Sequence, residues 1–369
     1  MVLKFGGTSV GNKERLFHVA AIAKKNWQQG HQVVVVVSAQ GDTTDELLEK
    51  AAEIGSDLPL REMDMLLSTG EQISCSLCAM AIEAMGYPVV SLTGWQAGFR
   101  TNSSYGDARI KRIDTERVLA ELDKNTIVIV TGFQGLNKYE DITTLGRGGS
   151  DTSAVALAAV LHADLCQIYT DVDGVYTADP RHVKGARKLE EITYDEMLEL
   201  ATLGAQVLHN RSVEMAKRYG VNLEVLSSFS GKPGTKVKEV AKTMEKLHVS
   251  GVACDKNVAR VAVVGLADEP GIAFKIFSLL AKERINVDLI LQSIGRNNTK
   301  DISFTVSIQD VERCKQLLDE HRDFLQFDHV DVNDKIAKVS IVGAGMVHNP
   351  GVAAKMFEAL YDAGINIQM

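Results

Sequence analysis

Cysteine is scarce in this chain. Five residues, Cys75, Cys78, Cys166, Cys254 and Cys314, are spread along 369 positions. So few cysteines, in an odd number, exclude a disulfide-built fold and point to a reducing compartment. Cys75 and Cys78 form a C-x-x-C with no second pair and no neighbouring histidine. They read as two ordinary core cysteines on a helix over residues 71–85. The nine histidines form no cluster, and no Ser-His-Asp order, H-E-x-x-H helix or paired-cysteine zinc pattern occurs. An excess of basic residues is also missing. Forty Lys and Arg stand against 48 Asp and Glu, for a net charge of -8. Nucleic acid and anionic membrane are therefore poor partners, and any phosphate site must be local. No apolar run reaches the length expected of a membrane span. Lys4 and two glycines interrupt what a secretory leader would need. The chain is expected in the cytoplasm.

The composition, 45% hydrophobic and 24% charged, is that of an ordinary globular protein. The length suggests two or three domains. Up to about residue 230, short apolar runs alternate with helical patterns. Strands are expected at 2–5, 33–37, 89–92, 127–130, 165–169 and 223–226. Val33 to Val37 is five consecutive valines, a pattern suited to a parallel strand buried on both faces. Asn12 opens a helix whose apolar residues Leu16, Val19, Ala20, Ala23 and Trp27 keep helical spacing until Gly30. Such alternation predicts an α/β fold, a three-layer αβα sandwich around a mostly parallel sheet. Ligands of such sheets bind beyond the carboxyl ends of the strands. The polar stretch SSFSGKPGT, residues 227–235, marks a domain boundary.

The remainder contains an internal repeat. VAVVGLADEPGIAFKIFSLLAKERINVDL, residues 261–289, is echoed by VSIVGAGMVHNPGVAAKMFEALYDAGINIQM, residues 339–369. Each runs strand, V-G turn, P-G, amphipathic helix and then I-N before another strand. Pro270 matches Pro350, and Asn286 matches Asn366, at the same spacing.

Three segments carry chemistry. Lys4-Phe5-Gly6-Gly7-Thr8-Ser9 follows the first strand and precedes the first helix. Its glycines let backbone N–H groups approach an anion, and Lys4 adds a charge, although a Gly-Gly pair also makes a plain tight turn. Leu145-Gly146-Arg147-Gly148-Gly149-Ser150-Asp151-Thr152 opens a second helix, expected over 153–162. Arg147 there offers a planar fork for carboxylate or phosphate. Asp151 is either functional or a helix-start acid. Asp171 and Asp173, after another strand, either bind a cation or make an Asx turn. Two glycine-rich helix starts, a lysine, an arginine and an acidic loop together suit phosphoryl transfer, which needs positioning and charge neutralisation.

KFGGTSVG, VVVVVSAQGDTTDELL, LLSTGEQIS, TGFQG, TTLGRGGSDTSAVALA and IYTDVDGVYTADPR resemble the aspartate kinase family, in the family's order, over the first 230 residues. The repeat resembles paired ACT modules, small α+β amino-acid-sensing domains. The resemblance implies a kinase domain over 1–230, a linker over 231–250, a first ACT-like domain over 251–333 and part of a second over 334–369. It implies ATP, with Mg²⁺, and L-aspartate as substrates, and 4-phospho-L-aspartate as product. That reaction opens lysine, threonine and methionine synthesis.

The family's roles fall on matching positions. Lys4, Phe5, Gly6, Gly7, Thr8 and Ser9 resemble the phosphate cradle. Ser38, Thr44, Glu71, Arg147, Gly148, Gly149 and Ser150 resemble the aspartate contacts, with Glu71 on the ammonium and Arg147 on a carboxylate. Asp151 would orient Lys4. Thr170, Asp171, Tyr176, Asp179 and Arg181 resemble the nucleotide side. The protein ligands of the metal are not identified. Lysine or threonine is implied as effector, on Asp268, Gly271, Ile272, Asn286, Val287 and Gln292. A homodimer through ACT modules, or a separate regulatory subunit, is the implied assembly.

Asn210 departs from the pattern, standing where many relatives have proline. The second ACT-like module also lacks most of its strands, which suggests a truncated form and an uncovered stripe of Val352, Met356, Phe357 and Leu360. The alternatives are another carboxylate kinase of the superfamily or a catalytically dead amino-acid sensor. Lys4, Arg147 and Asp151 argue against the second.

Overall fold

The computed structural model describes residues 1–205, 207–240, 249–293, 299–343 and 351–369. The chain divides into two compact units, one built on Met1–Val252 and the other on Ala253–Ile341 and the C-terminal stretch.

The first unit opens with β1 (Val2–Phe5), α1 (Lys13–Gln28), β2 (Val34–Val37), α2 (Thr43–Ala52) and α3 (Leu60–Ala84). It continues with β3 (Val89–Leu92), β4 (Phe99–Thr101), β5 (Ile110–Ile113), α4 (Glu116–Leu122) and β6 (Ile127–Thr131). Then come β7 (Gln134–Leu136), β8 (Ile142–Thr144), α5 (Gly149–Val160), β9 (Cys166–Thr170) and β10 (Glu191–Thr193). α6 (Tyr194–Thr202), α7 (Asn210–Tyr219), β11 (Leu223–Ser227) and β12 (Thr235–Lys238) close it.

Eight strands form the main sheet in the order β10-β12-β11-β9-β1-β2-β6-β3. All neighbours run parallel except β11 and β12. β12 therefore places part of the segment read as a linker in this sheet. β1 lies between β2 and β9, so the chain turns one way after β1 and the other way at β9. That switch point opens a crevice at the carboxyl end of β1.

Alternation along β1 sets the layers. Leu3 and Phe5 join one cluster with Leu16 and Val19 of α1 and Cys75, Cys78 and Ile82 of α3. Lys4 points to the opposite face, where α5 lies against β1, β2 and β9. Both cysteines of the C-x-x-C are buried and free, and burial pushes their thiols up to about 12. They are core residues.

α1 begins where Asn12 accepts a hydrogen bond from the Arg15 N–H at 3.0 Å, and ends before Gly30, whose φ is +89°. Asn210 is the first residue of α7, a position where proline costs nothing because that N–H has no helical partner. The departure from the family pattern is thus benign for the backbone. α3 starts well before the expected helix and runs 25 residues, long and apolar enough by composition to cross a membrane. The sequence reading had no such span. This helix instead buries Asp64, Ser68, Glu71, Cys75 and Cys78 along one face.

A second, four-stranded sheet in the order β5-β4-β7-β8 was not legible in sequence.

In the other unit, strands at Ala259–Ala267, Ile290–Gln292, Thr299–Val306 and His329–Asn333 pair antiparallel. Helices Ile272–Lys282 and Val311–Glu320 bury Ile276, Leu280, Cys314 and Leu318 with Val261, Val263, Ile302 and Phe304 of that sheet. The order along the chain is βαββαβ, a small α+β module of the kind that the resemblance implies for the first ACT-like domain. From the second repeat, strand Lys338–Val342 and helix Val352–Asp362 are described. Pro350 lies outside the described residues. The helix buries none of its residues, and Phe357 is 49% exposed.

Candidate active site

The site grows from the carboxyl end of β1. Lys4 Nζ lies 2.7 Å from Asp151 Oδ1, and both side chains are almost buried, 11% and 13% exposed. Asp151 stands in the first turn of α5, so the two glycine-rich segments meet in one ion pair. Gly149 donates its N–H to Gly146 O and Thr152 to Gly148 O. The N–H groups of Ser150 and Asp151 have no intrahelical acceptor and offer donors to an anion. Gly148 has φ +68°, a conformation that suits glycine. Arg147 is exposed and makes no ion pair among the described residues.

Gly7 is required by close approach, because a Cβ there would sit 2.6 Å from the Ala39 carbonyl oxygen. That contact brings the cradle against the turn after β2, which carries Ser38 and leads to Thr44 in the first turn of α2. Glu71 of α3 lies beneath this turn. Its Oε1 accepts from the Ala39 N–H at 3.1 Å, and its buried Oε2 has no partner. Burial pushes the Glu71 carboxyl up to about 7, against the hydrogen bond from Ala39. Gly70 permits the approach, since a Cβ there would lie 2.8 Å from the Ala39 Cβ. The Ser74 hydroxyl donates to Ser38 O at 2.6 Å. The loop after β6 closes the same space, where a Cβ at Gly132 would meet Ser150 at 2.7 Å.

On the other side of β1, the Gly6 N–H donates to Tyr169 O at 3.2 Å, which ties the cradle to β9 and Thr170. Ser9 and Ser228 share a hydrogen bond at 2.9 Å, and the Ser228 N–H donates to Thr170 O. Thr170 Oγ1 donates to Asp171 and accepts from the Val172 N–H. The turn at the start of the acidic loop is thus made by the Thr170 hydroxyl, with the Asp171 carboxylate accepting from it. The Tyr176 hydroxyl donates to Asp173 at 2.7 Å. Asp179 and Arg181 grip each other through Nε and Nη2, and the Arg181 hydrogen bonds hold the Asp179 carboxyl down to about 2.

The structure therefore joins Lys4, the glycines, Ser38, Glu71, Ser150, Asp151 and Thr170 in one connected network. Asp179 and Arg181 neutralise each other instead. Sequence reasoning missed Asp64, Ser74, Arg211 and Ser228, which hold this framework. None of the four stands out in sequence, since Asp64 is one of four acids in α3, with Glu62, Glu71 and Glu83. In the ACT-like module, Gly271 (φ +93°) caps its helix before the buried Ile272. Asp268 pairs with Lys300 at 3.0 Å. Asn286 and Val287 line a concavity of about 340 Å³ with Phe277, Leu280 and Ile290, while Gln292 is exposed on the edge strand.

A parallel sheet with two glycine-rich helix starts at its switch point, bridged by a lysine and an acid, defines a phosphoryl-transfer enzyme. Residues 1–227 match the amino acid kinase family, and residues 261–321 and 339–369 match the ACT domain. Within that class the chain belongs to the aspartokinases. It is 54% identical to aspartokinase 2 of Bacillus subtilis over 371 aligned positions, covering all of this chain and 90% of that one. The aspartate kinase of Synechocystis is 46% identical with a TM-score of 0.59, and this chain spans 64% of its length. Aspartokinase III of E. coli in complex with aspartate and ADP, the R-state, is 27% identical with a TM-score of 0.83, and 92% of it is covered. The same protein with lysine and aspartate, the T-state, gives a TM-score of 0.74 at the same coverage.

The buried Glu71 yields an expected outcome independent of turnover. A carboxyl raised by burial destabilises the fold as pH rises from about 4.5 to about 7, because the unfolded chain releases its proton first. Glu71→Gln removes this penalty. The gain in urea midpoint over the wild type is expected to grow between those pH values and level off above them. A difference that stays constant with pH counts against the assignment.

Proposed function

We propose that this chain transfers the γ-phosphoryl group of ATP to the side-chain carboxylate of L-aspartate, giving ADP and 4-phospho-L-aspartate. The Lys4–Asp151 pair, set where two glycine-rich helix starts meet, carries the reading. The aspartate carboxylate is already a nucleophile at neutral pH, so the reaction needs no general base. The work is alignment and charge neutralisation. Lys4 faces the transferring group and Asp151 fixes its ammonium. The N–H groups of Gly7 and Thr8 and of the α5 start cradle the phosphates, while the Gly6 and Ser9 N–H groups hold the loop's own shape by donating to Tyr169 O and Gly6 O. Phe5 stacks on Tyr169 and supports the cradle from below. Glu71, with a free buried oxygen, takes the substrate ammonium beside Ser38 and Thr44, and Arg147 takes a carboxylate over Gly148, Gly149 and Ser150. Thr170, Asp171 and Tyr176 border the nucleotide, with Asp179 and Arg181 shaping that loop.

Among the described residues no three acids, histidines or cysteines converge. Mg²⁺ is accordingly proposed to arrive as MgATP, bound by the nucleotide's own oxygens. The product feeds lysine, threonine and methionine synthesis. Free cysteines and the use of ATP support a cytoplasmic location.

The ACT-like module is proposed to bind lysine, threonine or both, as the lysine complex of the E. coli relative supports. Asp268, Gly271 and Ile272 would meet the effector carboxylate at the helix start, and Asn286, Val287 and Gln292 would complete the site. Ile290 and Leu291 on the edge strand, and Leu289 just before it, are about half exposed, which supports association with a second chain, either a copy or a regulatory subunit.

The test of the function is ADP release with aspartate, glutamate and acetylglutamate. Release with aspartate is expected to dominate, and equal release with glutamate contradicts the reading.

Lys4→Ala is expected to lower kcat about 100-fold or more, the scale of losing one preorganised stabiliser. The KM for aspartate should move less, and near-normal turnover removes Lys4 from this role. Calorimetry is expected to show lysine or threonine binding with coupling of about 1–3 kcal/mol to the active state. No heat with either amino acid contradicts the effector assignment.

A further inference from the structure

Two polar side chains outside the proposed substrate contacts grip the loop that carries Arg147. Asp64 is 1% exposed inside α3. It lies two helical turns before Glu71 and on the same buried face. Its carboxylate accepts from the Gly106 N–H at 3.0 and 3.1 Å, the Thr144 N–H at 3.0 Å and the Thr144 hydroxyl at 2.6 Å. Thr144 ends β8, and Leu145-Gly146-Arg147 follows directly.

Arg211 of α7 takes the acceptors of the same junction. Its Nη1 donates to Leu145 O at 2.8 Å and its Nη2 to Ala108 O at 2.7 Å. Its side chain is only 12% exposed, with Asp107 at 3.6 Å. The neighbouring His209 ring fills the space over Gly148, where an added Cβ would meet it at 2.3 Å. The backbone donors are held by a buried acid and the backbone acceptors by a buried base. An α3 that also carries Glu71 is thereby bolted to the loop that carries Arg147.

We propose that Asp64 and Arg211 are positioning residues that fix the Arg147 loop relative to Glu71, and so set the length of amino dicarboxylate that is accepted. This rests on the reading of Glu71 and Arg147 as the aspartate contacts. The physical reason is that a longer substrate such as glutamate is refused only if both ends of the site are rigid. A carboxylate with three donors in a low-dielectric interior supplies that rigidity. Asp64→Asn replaces an acceptor by an N–H₂ that faces backbone donors. Arg211→Met keeps the length and loses both carbonyl contacts.

The experiment measures kcat and KM for aspartate, glutamate and ATP in the full chain, together with the thermal midpoint. Asp64→Asn and Arg211→Met are each expected to raise the aspartate KM about tenfold or more. The preference for aspartate over glutamate should narrow by about the same factor, while the ATP KM stays within about threefold. Thr144→Val, which removes one hydroxyl at nearly constant volume, is expected to act in the same direction with a smaller effect. It decides the matter if Asp64→Asn does not fold. A purely structural role would lower the thermal midpoint and leave the aspartate-to-glutamate ratio unmoved. That outcome, or a parallel rise in the KM of aspartate and ATP, overturns the proposal. A wild-type chain that does not distinguish the two acids overturns both this and the reading beneath it.

Discussion

The ion pair between Lys4 and Asp151 is the contact on which the rest of the site depends. A lysine at the end of a buried parallel strand is costly unless its charge is answered nearby. Alternation along β1 gives it no route to the α1 and α3 face, where Leu3 and Phe5 are already packed. The charge must be met from α5, and α5 supplies Asp151 from its first turn. That one contact fixes where the second glycine-rich helix start falls relative to the first. The cradle, the Arg147 loop and the crevice at the switch point then occupy one place.

Glycine does the remaining local work through close approach. Gly7 and Gly70 lie against Ala39 from two directions, and Gly132 lies against Ser150. Side chains at these positions would push the cradle, the turn after β2 and the α5 start apart. The buried carboxylates make a division of labour visible. Asp64 has all its acceptor capacity engaged by the protein, whereas Glu71 keeps one oxygen unmatched. A satisfied buried acid holds structure, and an unsatisfied one awaits a cation. In the proposed function that cation is the substrate ammonium.

Much of this was legible beforehand where periodicity is long or glycines are dense. The unbroken valines of β2, the helical spacing of α1 and the repeat around Pro270 each state their structure directly. The short strands β4, β5, β7 and β8 did not, because three or four residues carry no period and their sheet is assembled from distant segments. The start of α3 was missed for a related reason. Its polar first turns conceal a helix whose inward face emerges only once Asp64 and Ser68 are seen buried. Segment 231–250 looked like a linker because Gly and Pro dominate its beginning, yet Thr235–Lys238 pairs with β11. Arg211 gave no sign, since an arginine that bonds two carbonyls looks in sequence like any solvated one. The charges of Asp179 and Arg181 were read as ligand contacts, and only the geometry reveals that they engage each other.

The most direct test is to trap the product of a single incubation with ATP and aspartate in the presence of hydroxylamine, followed by mass spectrometry of the adduct. An acyl phosphate on the side-chain carboxyl reacts to give aspartate β-hydroxamate, in step with ADP release. That species is the expected result, formed by the wild type and strongly reduced in Lys4→Ala. ADP release without any hydroxamate, or a hydroxamate on the α-carboxyl, contradicts the placement of Glu71, Arg147 and Lys4 around the substrate.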